Sequence, residues 1–268
     1  MRTARFGGGP FQFGLDITPT VRNLLIATFG VWGLQIVLGL AGVDVLEEWF
    51  ALDPRKALPW QPWRLVSYVF LHSAPSHGGG FTPWHVIVNM FTLAVFGGAV
   101  ERQMGSRRFL TYYLLCGLGG GLLTLLPWFG AITVGASGAV LGVLTAFGLF
   151  FPNAPVLILV ILVPAKIVVL VVAIFNLVSA ATAQGGISYI AHVGGMAAGW
   201  LLIRGQPAWD RALVRWREQQ RLRREQQRVV LRHRMDEILD KMNREGRKSL
   251  SQEEWRILLD ESKRMRNN

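Results

Sequence analysis

The sequence predicts an all-α, polytopic membrane protein: a six-transmembrane-helix bundle followed by a water-facing helical hairpin tail. Three observations predict it. The 268-residue chain is 51% hydrophobic and 17% charged, against about 25% charged in an ordinary soluble domain. Its apolar residues fall in runs close to the roughly 20 residues a spanning helix needs. Its charge is segregated. Residues 204–268 carry 18 of the 28 Lys and Arg and 11 of the 17 acids, whereas residues 109–203 carry one formal charge, Lys166.

The elements follow in order. Residues 1–20 read as an N-terminal cytoplasmic segment. Met1 to Phe13 lacks the compact apolar core and small-residue cleavage site of a signal peptide, so the first apolar run is expected to stay as an anchor. That run is Leu24 to Val43. Asp44 to Trp84 is mixed and rich in Trp and Pro, with charges at Asp44, Glu47, Glu48, Asp53, Arg55, Lys56 and Arg64. It reads as a long loop with half-buried elements. The second span is Trp84 to Val100, ended by Glu101-Arg102, and the third is Phe109 to Phe129. Ser137 to Phe151 is a short fourth, bounded by Pro152 and Pro155. Val156 to Val163 is apolar but lies between prolines, and reads as a membrane-edge segment. Ile167 to Ala183 is the fifth span and Ile187 to Ile203 the sixth, so the membrane domain covers residues 21–204. Residues 205–268 form a basic cytoplasmic tail. Within it, Trp209 to Val230 is polar nearly all round and reads as an exposed connector. Leu231, Met235, Ile238, Leu239 and Met242 form an apolar stripe stopped by Gly246. Ser251 and Glu254 have capping-box spacing ahead of Trp255, Leu258 and Leu259. The string from Lys241 loosely matches a calcium loop, but Lys241 and Gln252 at the first and last ligand positions argue against calcium.

Six spans put both termini on one side. Arg2, Arg5, Arg22, Arg102, Arg107, Arg108 and the tail fall on that side, which the positive-inside rule makes cytoplasmic. A basic tail beside a bilayer suits anionic lipid, and without a recognition motif it is not read as a nucleic-acid site. The single cysteine, Cys116, permits no intrachain disulfide and reads as a small buried hydrophobe.

Ionisable groups at membrane depth need a reason to be there. Ser137 lies in Gly135-Ala136-Ser137-Gly138 at the outward end of the fourth helix. His192 lies about one and a half turns into the sixth helix from the same side. Gly195 and Gly199 share the face of His192, and Gly138 and Gly142 offer an equally smooth face on the fourth helix. Their contact would bring base to hydroxyl, and a neutral His can take the serine proton near pH 7. His85 and Asn89, i and i+4 on the second helix, can both donate to an oxyanion, with the Ser137 amide as a third donor. Each feature also has a structural reading: Ser137 as a cap, His192 as a packing residue, and His85 and Asn89 as helix glue. A metal site formed by His72, His77, His85 and His192 is disfavoured, because no carboxylate–histidine spacing accompanies them. No Asp or Glu occurs from Phe109 to Ile203, which favours a Ser–His dyad over a triad.

Together these residues resemble the rhomboid family of intramembrane serine proteases, over about Pro19 to Arg204. Four motifs occur in order: Trp63-Arg64 with Phe70-Leu71-His72; His85 and Asn89 with Glu101 and Gly105; Gly135-Ala136-Ser137-Gly138; and Ala191-His192 with Gly195 and Gly199. The resemblance implies a six-helix core, Ser137 as nucleophile, His192 as base, and His85, Asn89 and the Ser137 amide as oxyanion donors. It implies membrane-anchored protein substrates cut near the outer end of the substrate helix, with no metal or cofactor. The chain departs from the family in two places. Ser73 to Trp84 is inserted before the His-x-x-x-Asn helix, with His77, Gly78, Gly79 and Gly80 within it. Leu141, four residues after the serine, stands where the family often has an aromatic residue packed on the histidine. The segment from Met235 to Arg264 resembles a module that follows some bacterial rhomboids, which implies a bacterial cytoplasmic membrane. The expected function is an intramembrane serine endopeptidase. The alternative is an inactive rhomboid-like protein that binds or chaperones membrane helices. A transporter or channel would call for repeats or several buried charges, and neither is present.

Overall fold

The computed structural model describes residues 17–74, 83–126, 132–158, 160–182, 189–246, 249–256 and 258–259. The expectations for His77 to Gly80, for the end of the third span at Phe129, for the end of the fifth at Ala183 and for the start of the sixth at Ile187 lie outside the described residues. Among the described residues there are six long helices: α1 (Pro19–Leu40), α2 (Trp84–Met104), α3 (Ser106–Thr124), α4 (Ser137–Phe150), α5 (Ala165–Thr182) and α6 (Tyr189–Glu245). Among the described residues, α1, α2 and α5 are long and apolar enough to cross a membrane, and α4 is a shorter apolar helix.

The ends of these helices have local causes. α1 starts earlier than its hydropathy suggests, because Pro19 takes the first helical position, where its missing N–H costs nothing. It also ends earlier, at Leu40, ahead of Gly42 at φ +71°. Gly105, at φ +81°, ends α2 and opens α3. The long loop folds into short helices at Val45–Phe50, Pro54–Ala57 and Arg64–Ser67, then a 3-10 turn at Tyr68–Phe70.

The segment expected to run along the membrane edge folds as an antiparallel hairpin. β1 (Pro155–Ile158) pairs with β2 (Ile161–Pro164), with Pro155 opposite Pro164. Proline is tolerated at strand ends, where its missing N–H breaks no ladder bond. The hairpin returns the chain to the end of α4: the Ala165 amide donates to the Ala154 carbonyl at 2.9 Å and the Lys166 amide to that of Pro152 at 3.0 Å.

The chain divides into two compact units between Arg204 and Gly205. In the first, α4 is central, with every residue from Gly138 to Gly148 buried except Leu141. It packs on α2, α3 and α5. By contrast α5 buries only Ala165 and Asn176. In the second unit α6 extends to Glu245, ahead of Gly246 at φ +83°. The sequence had suggested separate segments there. The Arg-, Gln- and Glu-rich connector is strongly helix-forming, so Gly205 and Pro207 do not end the helix. Ser251 and Glu254 do form a capping box: the Glu254 amide donates to Ser251 Oγ at 3.2 Å, and the Ser251 amide to Glu254 Oε2 at 2.7 Å. Lys241 reaches the same carboxylate at 3.1 Å.

Candidate active site

Ser137 opens α4, and the loop preceding it is held by backbone bonds to Leu52 and Tyr68 of the long loop. Leu52 and Thr133 exchange backbone hydrogen bonds of 3.0 and 2.9 Å, which ties the long loop to the segment leading into α4. Gly135 donates to the Tyr68 carbonyl at 3.0 Å, while the Tyr68 hydroxyl donates to the Gly117 carbonyl of α3 at 2.8 Å. Arg64, almost fully buried, donates to Gln61 Oε1 and to the Ala51 and Glu48 carbonyls, which braces that loop from inside. Gly135 sits at φ +124°, and a Cβ there would lie 2.6 Å from the His85 ring. Glycine is therefore required both for the turn and for the approach of the imidazole.

α6 carries His192 to Ser137 through backbone-to-backbone packing. A Cβ on Gly195 would lie 2.1 Å from the Gly138 carbonyl oxygen, and one on Gly199 would lie 3.1 Å from Gly142. The four glycines thus form the α4–α6 contact. The other side of α6 rests on α3, where a Cβ on Gly194 would meet the Gly119 oxygen at 2.6 Å. With the helices this close, His192 Nε2 lies 2.6 Å from Ser137 Oγ. Both residues are half-buried, so the pair is reachable.

On the far side of the imidazole, Nδ1 lies 2.7 Å from Asn176 Oδ1 of α5. Tyr189 stands edge-on to the His192 ring at 6.0 Å, and Phe175 stands edge-on to Tyr189 at 6.1 Å. Aromatic support for the histidine therefore comes from α5 and α6.

The donor side of the site is built around His72. Its Nε2 is 3.4 Å from Asn89 Nδ2 and 3.4 Å from the Ala136 amide. Its ring lies edge-on to His85 at 5.3 Å. Burial, with His85 close by, pushes the His72 imidazole down to about 3, so it is neutral and accepts from both donors. Within α4, the Ser137 amide precedes any i−4 carbonyl of the helix and has no intrahelical acceptor. Asn89, His85, Ser137 and His192 are thus gathered at the outset of α4.

A model of the Rhomboid domain matches residues 59–205, more than half of the chain and the whole of this cluster. The chain belongs to the rhomboid family. Rhomboid relatives include RHOMBOID-like protein 4 of Arabidopsis thaliana, 34% identical over 59% of this chain and 37% of its own length. Rhomboid protein 1, mitochondrial, of Saccharomyces cerevisiae is 33% identical over 44% of this chain and 36% of its own. Rhomboid protease GlpG of Klebsiella pneumoniae is 28% identical over 74% and 63%. The chain spans about a third to two thirds of the length of these relatives. Like other rhomboid family members it is an integral membrane protein.

Sequence reasoning about this rhomboid site missed four residues. Gln35 is a buried polar residue of α1 and holds the backbone of His72. Asn176 and Tyr189 hold His192. Gly119 lets α6 approach α3. An isolated polar residue in an apolar run was the available signal for Gln35 and Asn176.

Proposed function

We propose that this rhomboid protein is an intramembrane serine endopeptidase acting on membrane-anchored protein substrates. The observation that carries the reading is the 2.6 Å approach of His192 Nε2 to Ser137 Oγ. In this mechanism Ser137 Oγ attacks the scissile carbonyl as His192 Nε2 takes its proton. The tetrahedral oxyanion is held by the Ser137 amide with Asn89 and His85. Asn89 is suited to the task because its 3.4 Å contact with His72 is long and readily exchanged for a bond to an oxyanion. His192 then protonates the leaving amine, and water repeats the cycle on the acyl-enzyme. The reaction calls on these side chains, the Ser137 amide and water, with no cofactor.

We further propose the orientation given by Arg22, Arg102, Arg107 and Arg108: both ends cytoplasmic, with Ser137 near the outer face. The alternative, a non-catalytic protein that binds membrane helices, gives no reason for the hydroxyl and imidazole to be in hydrogen-bond reach.

Fluorophosphonate labelling of the purified full chain in liposomes tests the reading. Wild type is labelled and cleaves a membrane-anchored reporter, and Ser137→Ala does neither. A wild-type protein that is unlabelled and cleaves nothing overturns it.

A further inference from the structure

Of the three helices long and apolar enough to cross a membrane, α5 is the least buried. Ile174, Phe175, Leu177 and Val178 are 53–60% exposed, yet Asn176 among them is 4% exposed. A polar side chain at this depth is costly without partners, and Asn176 has two. Its Nδ2 donates to the Val172 carbonyl one turn back at 2.8 Å, and its Oδ1 faces His192 Nδ1 at 2.7 Å.

These two contacts fix the chemistry. A backbone carbonyl only accepts, so the atom facing Val172 must be the amide nitrogen. The oxygen is then the atom facing His192. An amide oxygen also only accepts, so His192 Nδ1 must carry the proton. The neutral imidazole has one N–H, so Nε2 is left with its lone pair towards Ser137 Oγ. A hydrogen-bond chain therefore runs from Ser137 Oγ–H to His192 Nε2, and from His192 Nδ1–H through Asn176 to the Val172 carbonyl.

We propose that Asn176 is a positioning residue of the hydrolytic site, holding His192 in the tautomer and ring orientation that allow it to accept the Ser137 proton. The proposal rests on the Ser137–His192 reading above. Asn176 does not touch substrate. It acts as the third, orienting member of a Ser–His–Asn array, supplied by a helix other than those carrying nucleophile and base. Being neutral, it orients the imidazolium formed during attack without adding a countercharge. α5 is thereby coupled to chemistry: any displacement that withdraws Asn176 frees the imidazole to rotate and to change tautomer.

The test compares wild type with Asn176→Leu, similar in size but without an acceptor, and Asn176→Asp, which keeps an oxygen towards Nδ1. All are the full chain in liposomes, with folding checked by thermal melting. Expected for Asn176→Leu is a kcat lower by about 10- to 100-fold with KM little changed, below the ~10⁴-fold cost of a wrong tautomer in a serine protease. Asn176→Asp recovers most of that rate. Fluorophosphonate labelling of Ser137 slows in parallel. The second readout needs no turnover: 15N-histidine NMR of Ser137→Ala protein shows the proton of His192 on Nδ1, and adding Asn176→Leu moves it to a mixture of both nitrogens. A folded Asn176→Leu protein with wild-type kcat and an unchanged tautomer overturns the proposal while leaving the Ser137–His192 reading intact. Failure of that reading would instead appear as an unlabelled wild type.

Discussion

Gln35 of α1 holds both backbone groups of His72: its Nε2 donates to the carbonyl at 3.0 Å and its Oε1 accepts from the amide at 3.0 Å. Gln35 is 1% exposed, so neither backbone group can turn to water if it is lost. A buried donor or acceptor left unmade costs about 1–3 kcal/mol. Gln35→Leu is therefore expected to destabilise the protein by about 2–4 kcal/mol. It should also lower hydrolysis, since His72 orients Asn89 and Ala136. Thermal melting with a reporter-cleavage assay checks both. A variant with unchanged Tm would show that the backbone of His72 needs no such clamp.

His72 also predicts a pH dependence. Its ordinary value is 6.5, and burial, with His85 adding to it, lowers it to about 3 in the folded protein. Between those values the unfolded chain binds a proton that the folded chain does not, so stability falls as pH falls through that window. Above 6.5 the contribution is fully present. Melting temperature measured from pH 7 to pH 5, before most carboxylates titrate, should drop more steeply in wild type than in His72→Asn. Parallel slopes would mean that the His72 imidazole takes up its proton as readily in the folded as in the unfolded chain.

Glu101 sets a contrasting case, in which stability and activity should separate. Its carboxylate accepts from the Thr18 hydroxyl, the Thr20 and Val21 amides and the Ser106 hydroxyl. It therefore joins the start of α1 to the α2–α3 junction. Twelve residues of helix separate it from Asn89, about 18 Å. Glu101→Ala should cost about 3 kcal/mol, since hydrogen bonds to a charged group contribute about 1.5–3 kcal/mol each and buried amides are left bare. Glu101→Gln should recover part of this. At a temperature where the variant is folded, kcat should match wild type. A kcat loss comparable to that of Asn176→Leu would show that the α1 anchor reaches the site.

Some of this was legible in the sequence. The start of α4 could be read because Gly135-Ala136-Ser137-Gly138 combines a turn glycine with small residues. The α4–α6 approach followed from glycines four apart. The Ser251–Glu254 cap followed from its spacing alone. Other features were hidden for physical reasons. Hydropathy located α1, but Pro19 and Gly42 set its ends. The run from Val156 to Val163 is apolar throughout, and such runs do not show their period, so β1 and β2 could not be distinguished from a membrane-edge segment. The residue type that most often orients a catalytic histidine is a carboxylate, and residues 109–203 contain none. Asn176 is neutral, and the polar face it forms with His192 exists only once α5 and α6 are side by side.

The α4–α6 glycine contact gives the most local prediction. A Cβ on Gly195 would lie 2.1 Å from the Gly138 carbonyl oxygen and 2.5 Å from its carbon. Both are backbone atoms, so no side chain can swing aside and the helices must separate. Separation by even an ångström lengthens the Ser137–His192 contact, and a misplacement of that size can cost about 10²-fold in rate. Gly195→Ala is thus expected to lower both Tm and kcat, the latter by at least about 10-fold. Gly30→Ala is the matched control: a methyl there meets nothing within 4 Å, so Tm and kcat should stay at wild-type values. Labelling of Ser137 by fluorophosphonate, timed in both variants, reports the geometry directly. A Gly195→Ala protein labelled as fast as Gly30→Ala would mean that base and nucleophile keep their distance without close helix contact, and that the glycine faces do not set the site.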